Sequence, residues 1–451
     1  MPSPLSLKKI RPLQLIAVIF FTVSGGPYGL EPLLTYAGQH GALLLLLLTP
    51  LLWDLPAIFT VLELNSMMPV TGGYYKWVKH ALGTRWGFYE GWWTWLYTFI
   101  DLAIYPVLFV LYASFFFPWL SDYHYKIPLC LIFIWLSAGL NILGIVPVGK
   151  TSLFLGAAVL TPFIILFGLA FYHHTVTTIP SPSLKGIPFS SLGMALYTVM
   201  WNCLGWDNVT TYAEEVEKPV RSYIFSMFAA FALVIVIYFL IILVSQQSGL
   251  NIGALKEGAF PAVGAAVGGR WLGDLIALAG MASSFGIYAA VLLSVSRVPK
   301  VMADDDLLPK RLNRLHSQFQ TPYVSIIVCS LVGSVMILWP FLDLLIIDVT
   351  VYGAGLSLEY ISLIKLRMVS PDVHRPFKIP LNITGLCLMI ILPVTVYFVA
   401  LAGAFSSADE AVWAAVFAIV VLTSAELVWR LIVWKKPHLN ASPNPLQRSG
   451  L

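Results

Sequence analysis

The sequence contains little charge. Only 11% of its 451 residues are Asp, Glu, Lys or Arg, whereas 59% are hydrophobic. Soluble domains carry about a quarter charged residues, so this composition excludes that class and indicates a polytopic membrane protein. The 26 Lys and Arg exceed the 22 Asp and Glu by only four. This small excess indicates no nucleic-acid partner.

The sequence also lacks the motifs of catalytic and metal sites. Its four cysteines have no paired spacing, and its eight histidines fall in predicted loops or tails. The motifs H-E-x-x-H and G-x-S-x-G do not occur. We therefore predict that the protein is not an enzyme and holds no metal and no cofactor. A repeated filter segment, which would indicate a channel, is also missing.

Long apolar segments fill most of the chain. Each is near or above the roughly 20 residues that an α-helix needs to cross a bilayer. Barrel strands would be shorter and would alternate in polarity, so we predict an all-α bundle. The twelve predicted spans, numbered in chain order, are residues 13–37, 41–66, 86–118, 127–145, 150–172, 191–213, 221–245, 271–297, 322–340, 342–364, 380–403 and 411–434.

Basic residues give the predicted orientation of these spans. An even number of spans places both termini on the same side of the membrane. If that side is the cytoplasm, the outer segments hold only four basic residues, Lys126, Lys185, Lys256 and Arg270. This asymmetry follows the positive-inside rule. We therefore expect a multi-pass protein of the cell membrane, plasma or inner, with both termini cytoplasmic.

Two of the spans are interrupted by residues that disfavour a helix. Span 1 contains Ser24-Gly25-Gly26-Pro27-Tyr28-Gly29, and the centre of span 6 reads Trp201-Asn202-Cys203-Leu204-Gly205-Trp206-Asp207. Glycine costs about 1 kcal/mol and proline about 3 kcal/mol in a helix interior, and unpaired backbone groups cost more in lipid. Inverted-repeat transporters build a midplane site from such a pair of breaks. A Gly-Pro kink satisfied by neighbouring helices is the alternative interpretation.

The interval of five spans between the breaks predicts the domain organisation. The first five spans, at about 13–172, and the next five, at about 191–364, form a five-plus-five inverted repeat within a transport core at 13–364. Two additional helices follow at 380–434. The cytoplasmic tails are residues 1–12 and 435–451.

The predicted substrate site combines the two breaks with span 3. Trp93, Tyr97, Asp101 and Tyr105 recur every four residues, so aromatic rings flank a carboxylate that suits an ammonium group. The alternative is a packing ridge in which Asp101 accepts a hydrogen bond from a neighbour. The predicted substrate-binding residues are Ser24, Gly25, Gly26, Tyr28, Gly29, Tyr97, Asp101, Trp201, Asn202, Gly205 and Trp206.

Acidic residues occur deep inside the predicted spans, whereas no Lys or Arg does. The acidic residues are Glu31, Asp54, Glu63, Asp101, Asp207, Asp348, Glu359 and Glu426. Buried ionisable groups are costly in a membrane and usually functional. An acidic cavity without internal cations suits a proton or a cationic substrate. The residues that we assign to coupling or gating are Glu31, Glu63, Asp207 and Glu359.

Several segments resemble the amino acid, polyamine and organocation superfamily. They are "VSGGPYGLE" in span 1, "MPVTGGYYKWVKHALG" after span 2, "FIDLAIYPVLF" in span 3, "WNCLGWDNVTTYAEEVEKP" in span 6 and "LEYISLIKLRMVSPDVHRPFKIP" after span 10. The most similar branch is that of the plant polyamine uptake transporters and their bacterial relatives. The resemblance implies a twelve-helix inverted-repeat fold, with substrate held between the unwound parts of spans 1 and 6. It also implies proton-coupled uptake of amines or amino acids.

The sequence departs from that branch in span 3. Leu102 stands where the branch has Asn, and Leu111 where a second Asp is common in the plant members. Amino acid transport therefore stays open, since the N–H groups of Gly25 and Gly26 suit an α-carboxylate.

The predicted function is that of a secondary active transporter for a cationic amine or an amino acid. A neutral or broad-specificity amino acid transporter or exchanger is the alternative. Proton symport is implied by the resemblance, but carbonyls of span 1 with the hydroxyls of Ser283 and Ser284 could form a sodium site. The expected partners are the substrate, the coupling ion and membrane lipid, and the oligomeric state stays open.

Overall fold

A computed structural model describes residues 9–255, 258–338, 341–406 and 410–439. Within these ranges the chain is helical, and the only β-type pairs are the isolated bridges Ile10–Val216 and Thr71–Tyr212. The predicted tails lie mostly outside the described residues, as does Lys256. The α-helices of the described part are α1 (Pro12–Val23), α2 (Pro32–Thr49), α3 (Leu55–Met67), α4 (Gly73–Leu82), α5 (Thr84–Ser114), α6 (Tyr123–Ile142), α7 (Ile145–Tyr172), α8 (Phe189–Trp201), α9 (Pro219–Gln246), α10 (Phe260–Gly268), α11 (Arg270–Val295), α12 (Arg297–Asp304), α13 (Tyr323–Met336), α14 (Phe341–Val369), α15 (Ile383–Phe405) and α16 (Glu410–Lys435).

These helices confirm a polytopic all-α membrane protein. Nine helical segments of the described chain are long and apolar enough to cross a membrane. The helices at spans 1, 6 and 9 are shorter, with 12, 13 and 14 residues in α1, α8 and α13. Spans 1 and 6 are short because their helices stop at the predicted breaks. The division of the chain into two inverted halves stays a prediction.

Spans 1 and 2 are not separated by a loop. The chain is helical from Pro32 to Met67, and α2 and α3 join through a π-helical turn at Pro50–Asp54. The change of direction occurs at Gly38, whose φ of 64° is left-handed and suits glycine. The predicted loop at 38–40 is therefore a single-residue kink, and α2 belongs to both spans.

The connector predicted at 298–320 continues the eighth span as α12. Its end is attached to α4, because Lys76 and Lys79 both contact Oδ2 of Asp305 at 2.8 Å. Partial burial of Asp305 opposes its ionisation, but hydrogen bonds from Lys76, Lys79 and the Tyr75 hydroxyl lower its pKa below the ordinary value. A short polar helix is thus held against the predicted cytoplasmic end of the bundle.

Helices α5, α11 and α14 form the centre of the bundle, and the broken helices pack around them. Helix α5 packs against both α11 and α14, while α1 packs against α7, α9 and α11. Helices α15 and α16 lie outside this group and expose many apolar side chains, including Leu388 and Leu427. Both breaks consequently face the buried interior, where no lipid reaches them.

Helix α8 is placed by close contact with α15. A Cβ atom at Gly193 would lie only 2.4 Å from the backbone nitrogen of Ala404 and 2.6 Å from the Cα of Gly403. Backbone contact of this kind between membrane helices requires small residues on both sides. The pair fixes the part of span 6 that precedes the break.

We expect Gly193→Ala to destabilise the protein, because either backbone must move to make room for the methyl group. Overpacking of this kind costs roughly 1–3 kcal/mol. The matched control is Gly168→Ala, at an exposed site of α7 where a Cβ meets nothing within 4 Å. Melting temperatures of the purified proteins measure the difference. Equal melting temperatures for the two variants would contradict the close packing.

Candidate functional site

The break in span 1 is an unwound segment that begins after Val23. Gly25, Gly26 and Gly29 have φ values of 63°, 113° and 89°, which other residues rarely adopt. Their carbonyl groups are satisfied by side chains of other helices. Ser283 of α11 donates to the Gly25 carbonyl at 2.6 Å, and Asn202 donates to the Gly29 carbonyl at 3.1 Å. Protein groups thus replace the missing helical hydrogen bonds.

The N–H groups of these three glycines are also occupied. Gly25 donates to the carbonyl of Phe20 at 2.7 Å, and Gly26 donates to the hydroxyl of Ser24 at 3.1 Å. Gly29 donates at 2.8 Å to the carboxylate of Glu31, a fully buried side chain of the same segment. No N–H of the three glycines is therefore left for the carboxylate of a ligand in this conformation.

The break in span 6 begins where α8 ends, at Trp201. Asn202 remains close to the helical conformation, and Gly205 has a φ of 96°. The hydroxyl of Tyr238, from α9, lies 2.7 Å from the carbonyl of Asn202, 2.7 Å from the hydroxyl of Ser24 and 3.3 Å from the carbonyl of Gly26. One side chain therefore joins the two unwound segments.

The second half of span 6 does not return to an α-helix. It consists of two short 3-10 turns, at Asn208–Thr211 and Ala213–Glu215. Thr210 and Thr211 donate through their hydroxyls to the carbonyls of Asp207 and Asn208, at 2.6 Å and 2.8 Å. Such local side-chain bonds compete with helical ones. The predicted span 191–213 is therefore α-helical only up to Trp201, where the predicted break begins.

Asp101 lies among aromatic side chains next to both breaks. Tyr105 donates to its carboxylate at 2.5 Å, and the Trp201 indole also interacts with it. The rings of Tyr105 and Trp201 stack at 6.3 Å. Gly29 packs so closely that a Cβ there would lie 2.7 Å from the Trp201 ring. The arrangement has features of both interpretations of the sequence. Asp101 accepts a hydrogen bond from a neighbouring side chain, as in a packing ridge, and aromatic rings flank it, as in an ammonium site.

A second carboxyl group, Asp348 of α14, completes this part of the site. It is fully buried and interacts with Asp101 and with the Trp201 indole. Neither of its oxygens makes a hydrogen bond of ordinary length to a described residue. Asp348 was visible in the sequence as an acid within a span, but nothing there indicated that it approaches Asp101. We define Asp101 and Asp348 as the aspartate pair.

The aspartate pair belongs to a regular register between α5 and α14. Tyr97 of α5 meets Tyr352 of α14 with ring centroids 5.5 Å apart, four residues from each aspartate. Glu90 and Glu359 interact eleven residues from Asp101 and Asp348, which is about 16 Å along a helix. Numbers rise on one helix as they fall on the other, so the helices are antiparallel. Three successive levels therefore carry an aspartate pair, a tyrosine pair and a glutamate pair.

Asp207 connects the break in span 6 to this register. Tyr352 donates to Asp207 at 2.8 Å and accepts from the N–H of Gly205 at 3.2 Å. The adjacent Asn208 donates to the hydroxyl of Tyr97 at 2.9 Å. Both tyrosines of the middle level are thus bonded to the unwound part of span 6. Glu90 was missed because it lies near the start of its predicted span.

Three predicted residues lie away from the aspartate pair. The Trp206 indole donates to Asp54 at 3.2 Å and its ring packs on Phe231. Tyr28 donates to the carbonyl of Ile276 at 2.8 Å and contacts Tyr112. Glu31 accepts from Tyr112 and from the N–H of Gly258, each at 3.2 Å.

The predicted stripe in span 3 is wrong at Trp93. Its indole donates to the carbonyl of Leu422 in α16 at 3.0 Å, so it faces the outer helix. A spacing of four drifts around an α-helix by about 40° at each step, because a full turn takes 3.6 residues. Only Tyr97, Asp101 and Tyr105 reach the interior.

Arginines neutralise two of the acidic residues in the predicted spans. Glu63 binds Arg367 through both carboxylate oxygens, at 2.5 Å and 2.7 Å, and approaches Arg375 at 3.3 Å. Glu426 binds Arg85 at 2.6 Å and Arg430 at 2.7 Å. The prediction that the spans hold no cation is wrong at Glu63, because α14 extends to Val369 and carries Arg367 in its last turn.

The structure gives mixed support to a sodium site. Ser283 and the Gly25 carbonyl meet as such a site requires, but the hydroxyl already donates to the carbonyl, and Ser284 donates to Gly280 of its own helix. Across the described ranges no group of three or more His, Cys, Asp or Glu could hold a metal ion.

All eleven predicted substrate-binding residues are buried. The region around the aspartate pair presents two carboxyl groups, the aromatic rings of Tyr105 and Trp201 and an unwound backbone. Chemically, this combination attracts positive charge and repels anions.

Comparison with known proteins agrees with this architecture. Residues 10–423 match the amino acid permease family. The chain is 33% identical to a polyamine transporter of Arabidopsis thaliana over 86% of this chain and 79% of the relative. It is 31% identical to a polyamine transporter of Oryza sativa, over 89% of this chain and 75% of the relative. It is 26% identical to the serine/threonine exchanger of Bacillus subtilis, over 71% of this chain and 74% of the relative.

Family and fold thus agree, since nearly the whole described chain matches one family and its helices form a polytopic bundle with two broken spans. The relatives are transporters of small molecules, which fits the absence of catalytic motifs. The chain therefore belongs to the amino acid permease family of membrane transporters.

Proposed function

We propose that the protein is a secondary active transporter that takes up a cationic amine of the diamine or polyamine class. The site between the breaks of spans 1 and 6 binds the amine, and Asp101 faces its ammonium group. Uptake proceeds by alternating access and is coupled to protons by symport. The names of the Arabidopsis and Oryza relatives support this substrate class.

The aspartate pair is the observation that carries this proposal. Two buried carboxyl groups lie together, and no basic side chain of the described chain is bonded to either. An ammonium group supplies the missing charge, and the faces of Trp201 and Tyr105 add cation–π attraction of roughly 0.5–2 kcal/mol each. Buried carboxylates left without such a partner would be strongly unfavourable.

The occupied glycines argue against a carboxylate on the substrate. An amino acid would need N–H groups for its α-carboxylate, but Gly25, Gly26 and Gly29 already donate within the protein. Glu31 fills the position near Gly29 with a carboxylate of the protein itself. A diamine needs no such donors, so the occupied glycines do not oppose its binding.

A neutral or broad-specificity amino acid transporter or exchanger is the second candidate. The similarity to a serine/threonine exchanger favours it, as does the pair of unwound segments, which resembles a site for a zwitterion. This function would require Ser24 or Glu31 to release a glycine N–H in another conformation, and it would place an α-carboxylate near the aspartate pair.

Two glutamates occupy positions that suit gates on the two sides of the site. Glu63 ties α3 to the end of α14 at the predicted cytoplasmic end, and the N–H of Ile379 donates to it at 2.8 Å. Glu31 ties the span 1 break to Tyr112 of α5 and to Gly258. We assign Glu63 to the inner gate and Glu31 to the outer gate, with Asp207 and Glu359 as coupling residues.

Matched competitors test the substrate class. In proteoliposomes, ornithine should compete with labelled putrescine roughly tenfold less well than unlabelled putrescine does, equivalent to about 1.4 kcal/mol. Ornithine differs from putrescine only by its α-carboxylate, which would meet the aspartate pair and find the glycine N–H groups occupied. Agmatine and arginine form a second such pair. Equal or stronger competition by the amino acids would favour the second candidate.

Asp101→Asn should weaken putrescine binding roughly 10- to 150-fold, because a charge-assisted hydrogen bond is worth about 1.5–3 kcal/mol. The control is Asp274→Asn, the same substitution at a half-buried position of α11. Equilibrium binding to the purified protein measures both. Unchanged binding with loss of the pH dependence of uptake would make Asp101 a proton carrier and contradict its role as a ligand.

Orientation is tested with single cysteines in a background that lacks Cys387, which is exposed. An impermeant thiol reagent should label Ser181→Cys on intact cells but Ser317→Cys only after permeabilisation. Both positions are exposed, so access to the reagent depends on the side of the membrane. The opposite pattern would place both termini outside.

A further inference from the structure

Three buried carboxyl groups lie near one another below the tyrosine level of the α5–α14 register. They belong to Glu90 of α5, Asp207 of the span 6 break and Glu359 of α14, and all three residues are buried. Each interacts electrostatically with the other two. Glu90 packs against Gly355, where a Cβ would lie 3.0 Å from its carboxylate, one turn from Glu359. We call these three residues the carboxyl cluster.

Hydrogen bonds stabilise negative charge at only one residue of this cluster, Asp207. Tyr352 donates to Asp207, but Glu90 has only a 3.5 Å contact with the hydroxyl of Thr94. Neither oxygen of Glu359 makes a hydrogen bond of ordinary length to a described residue. Three ionised carboxylates in this position would repel one another without compensation.

Among the residues that the structure describes, the surrounding elements bring no free cation to the cluster. The titratable groups that interact with it from the neighbouring elements are Tyr74 of α4, Tyr97 of α5 and Tyr352 and Tyr360 of α14, and Tyr360 also interacts with Asp54. The basic residues nearest in sequence to Glu90 are engaged elsewhere, Lys79 with Asp305 and Arg85 with Glu426. A charge of the required sign must therefore come from solution.

We propose that the carboxyl cluster is a proton-binding site, separate from the amine site at the aspartate pair. This inference rests on the proposed function, to which it adds Glu90 and the place where the coupling proton binds. A carboxylate oxygen of the cluster gains a proton from water and later returns it to water, so one O–H bond forms and breaks. The aspartate pair lies about 16 Å away along α5, which leaves it free to bind the amine.

The location of the cluster suits exchange with the predicted cytoplasm. Gly87, three residues before Glu90, packs against Lys79, with a Cβ position 2.6 Å from the Lys79 side chain. Lys79 lines an open cavity of about 450 Å³ together with Lys76, Thr71, Glu214 and Lys300. Gly87, about one helical turn from Glu90, therefore packs against a residue that lines this cavity, which gives the proton a short route to the predicted cytoplasm.

Tyr352 gives the cluster a contact with the amine site. Its hydroxyl bonds to Asp207 and to the N–H of Gly205, and its ring packs on Tyr97, four residues from Asp101. Movement of the span 6 break on amine binding would therefore shift Asp207 relative to Glu90 and Glu359. That shift changes the proton affinity of the cluster, which is the coupling that symport requires.

Glu90→Gln and Glu359→Gln test the proposal in purified protein and in proteoliposomes. Putrescine binding should lose its dependence on pH and stay within about twofold of the value that the unmodified protein shows at low pH, because the aspartate pair is untouched and Gln mimics the protonated carboxyl group. Stimulation of uptake by an inward proton gradient should be lost, while exchange of internal for external putrescine continues. The infrared band of protonated carboxyl groups should also lose intensity in at least one of the variants.

Glu426→Gln is the matched control, since Glu426 is a helix carboxylate with two arginine partners and should leave the proton effects unchanged. Size-exclusion chromatography identifies any variant that does not fold. If either Glu90→Gln or Glu359→Gln fails to fold, the remaining one of the two is used for the test. Persistent gradient stimulation, or a loss of binding as large as in Asp101→Asn, would overturn the proposal. If the unmodified protein transports no amine, the proposed function fails, whereas an unchanged infrared band would refute the proton site itself.

Discussion

The hydroxyl of Tyr238 is the contact on which the rest of the site depends. It lies within hydrogen-bonding distance of the unwound backbone of both spans, at Ser24 and Gly26 on one side and at Asn202 on the other. Broken helices are tolerated in a membrane only where protein groups replace the lost backbone bonds. A tyrosine of α9 that satisfies both breaks also holds them together, so the site exists as one unit instead of two separate kinks.

Satisfaction of the backbone also restricts what the site can bind. The same bonds that stabilise the break in span 1 occupy the N–H groups of its glycines, so the segment offers no anion site in this conformation. The carboxyl groups opposite receive a hydrogen bond from Tyr105 at Asp101, but no basic side chain of the described chain is bonded to either of them. A site that has satisfied its donors and left its acids uncompensated selects positive charge, and this asymmetry comes from placing Ser24 and Glu31 inside the break.

The sequence predicted what depends on local chemistry and missed what depends on the pairing of distant helices. Glycine and proline identified the breaks, because these residues act on their own backbone. The contact of Asp101 with Asp348 depends on the register of α5 against α14, which the spacing within either helix does not contain. Glu63 was taken for an unpaired acid because Arg367 lay beyond the estimated end of its helix, and such boundaries shift by several residues.

The register of α5 against α14 gives the bundle two acidic levels with a tyrosine level between them. Uncompensated buried acids lower the stability of the folded protein. Packing alone therefore does not explain why they recur at the same interval on two antiparallel helices. Binding of a single ligand would need only one acidic level. In the proposed mechanism, two levels bonded through Tyr352 to one movable segment let two cations bind at separate places and still affect each other. Coupled transport requires this arrangement, because each cation must change the affinity for the other without competing for the same atoms.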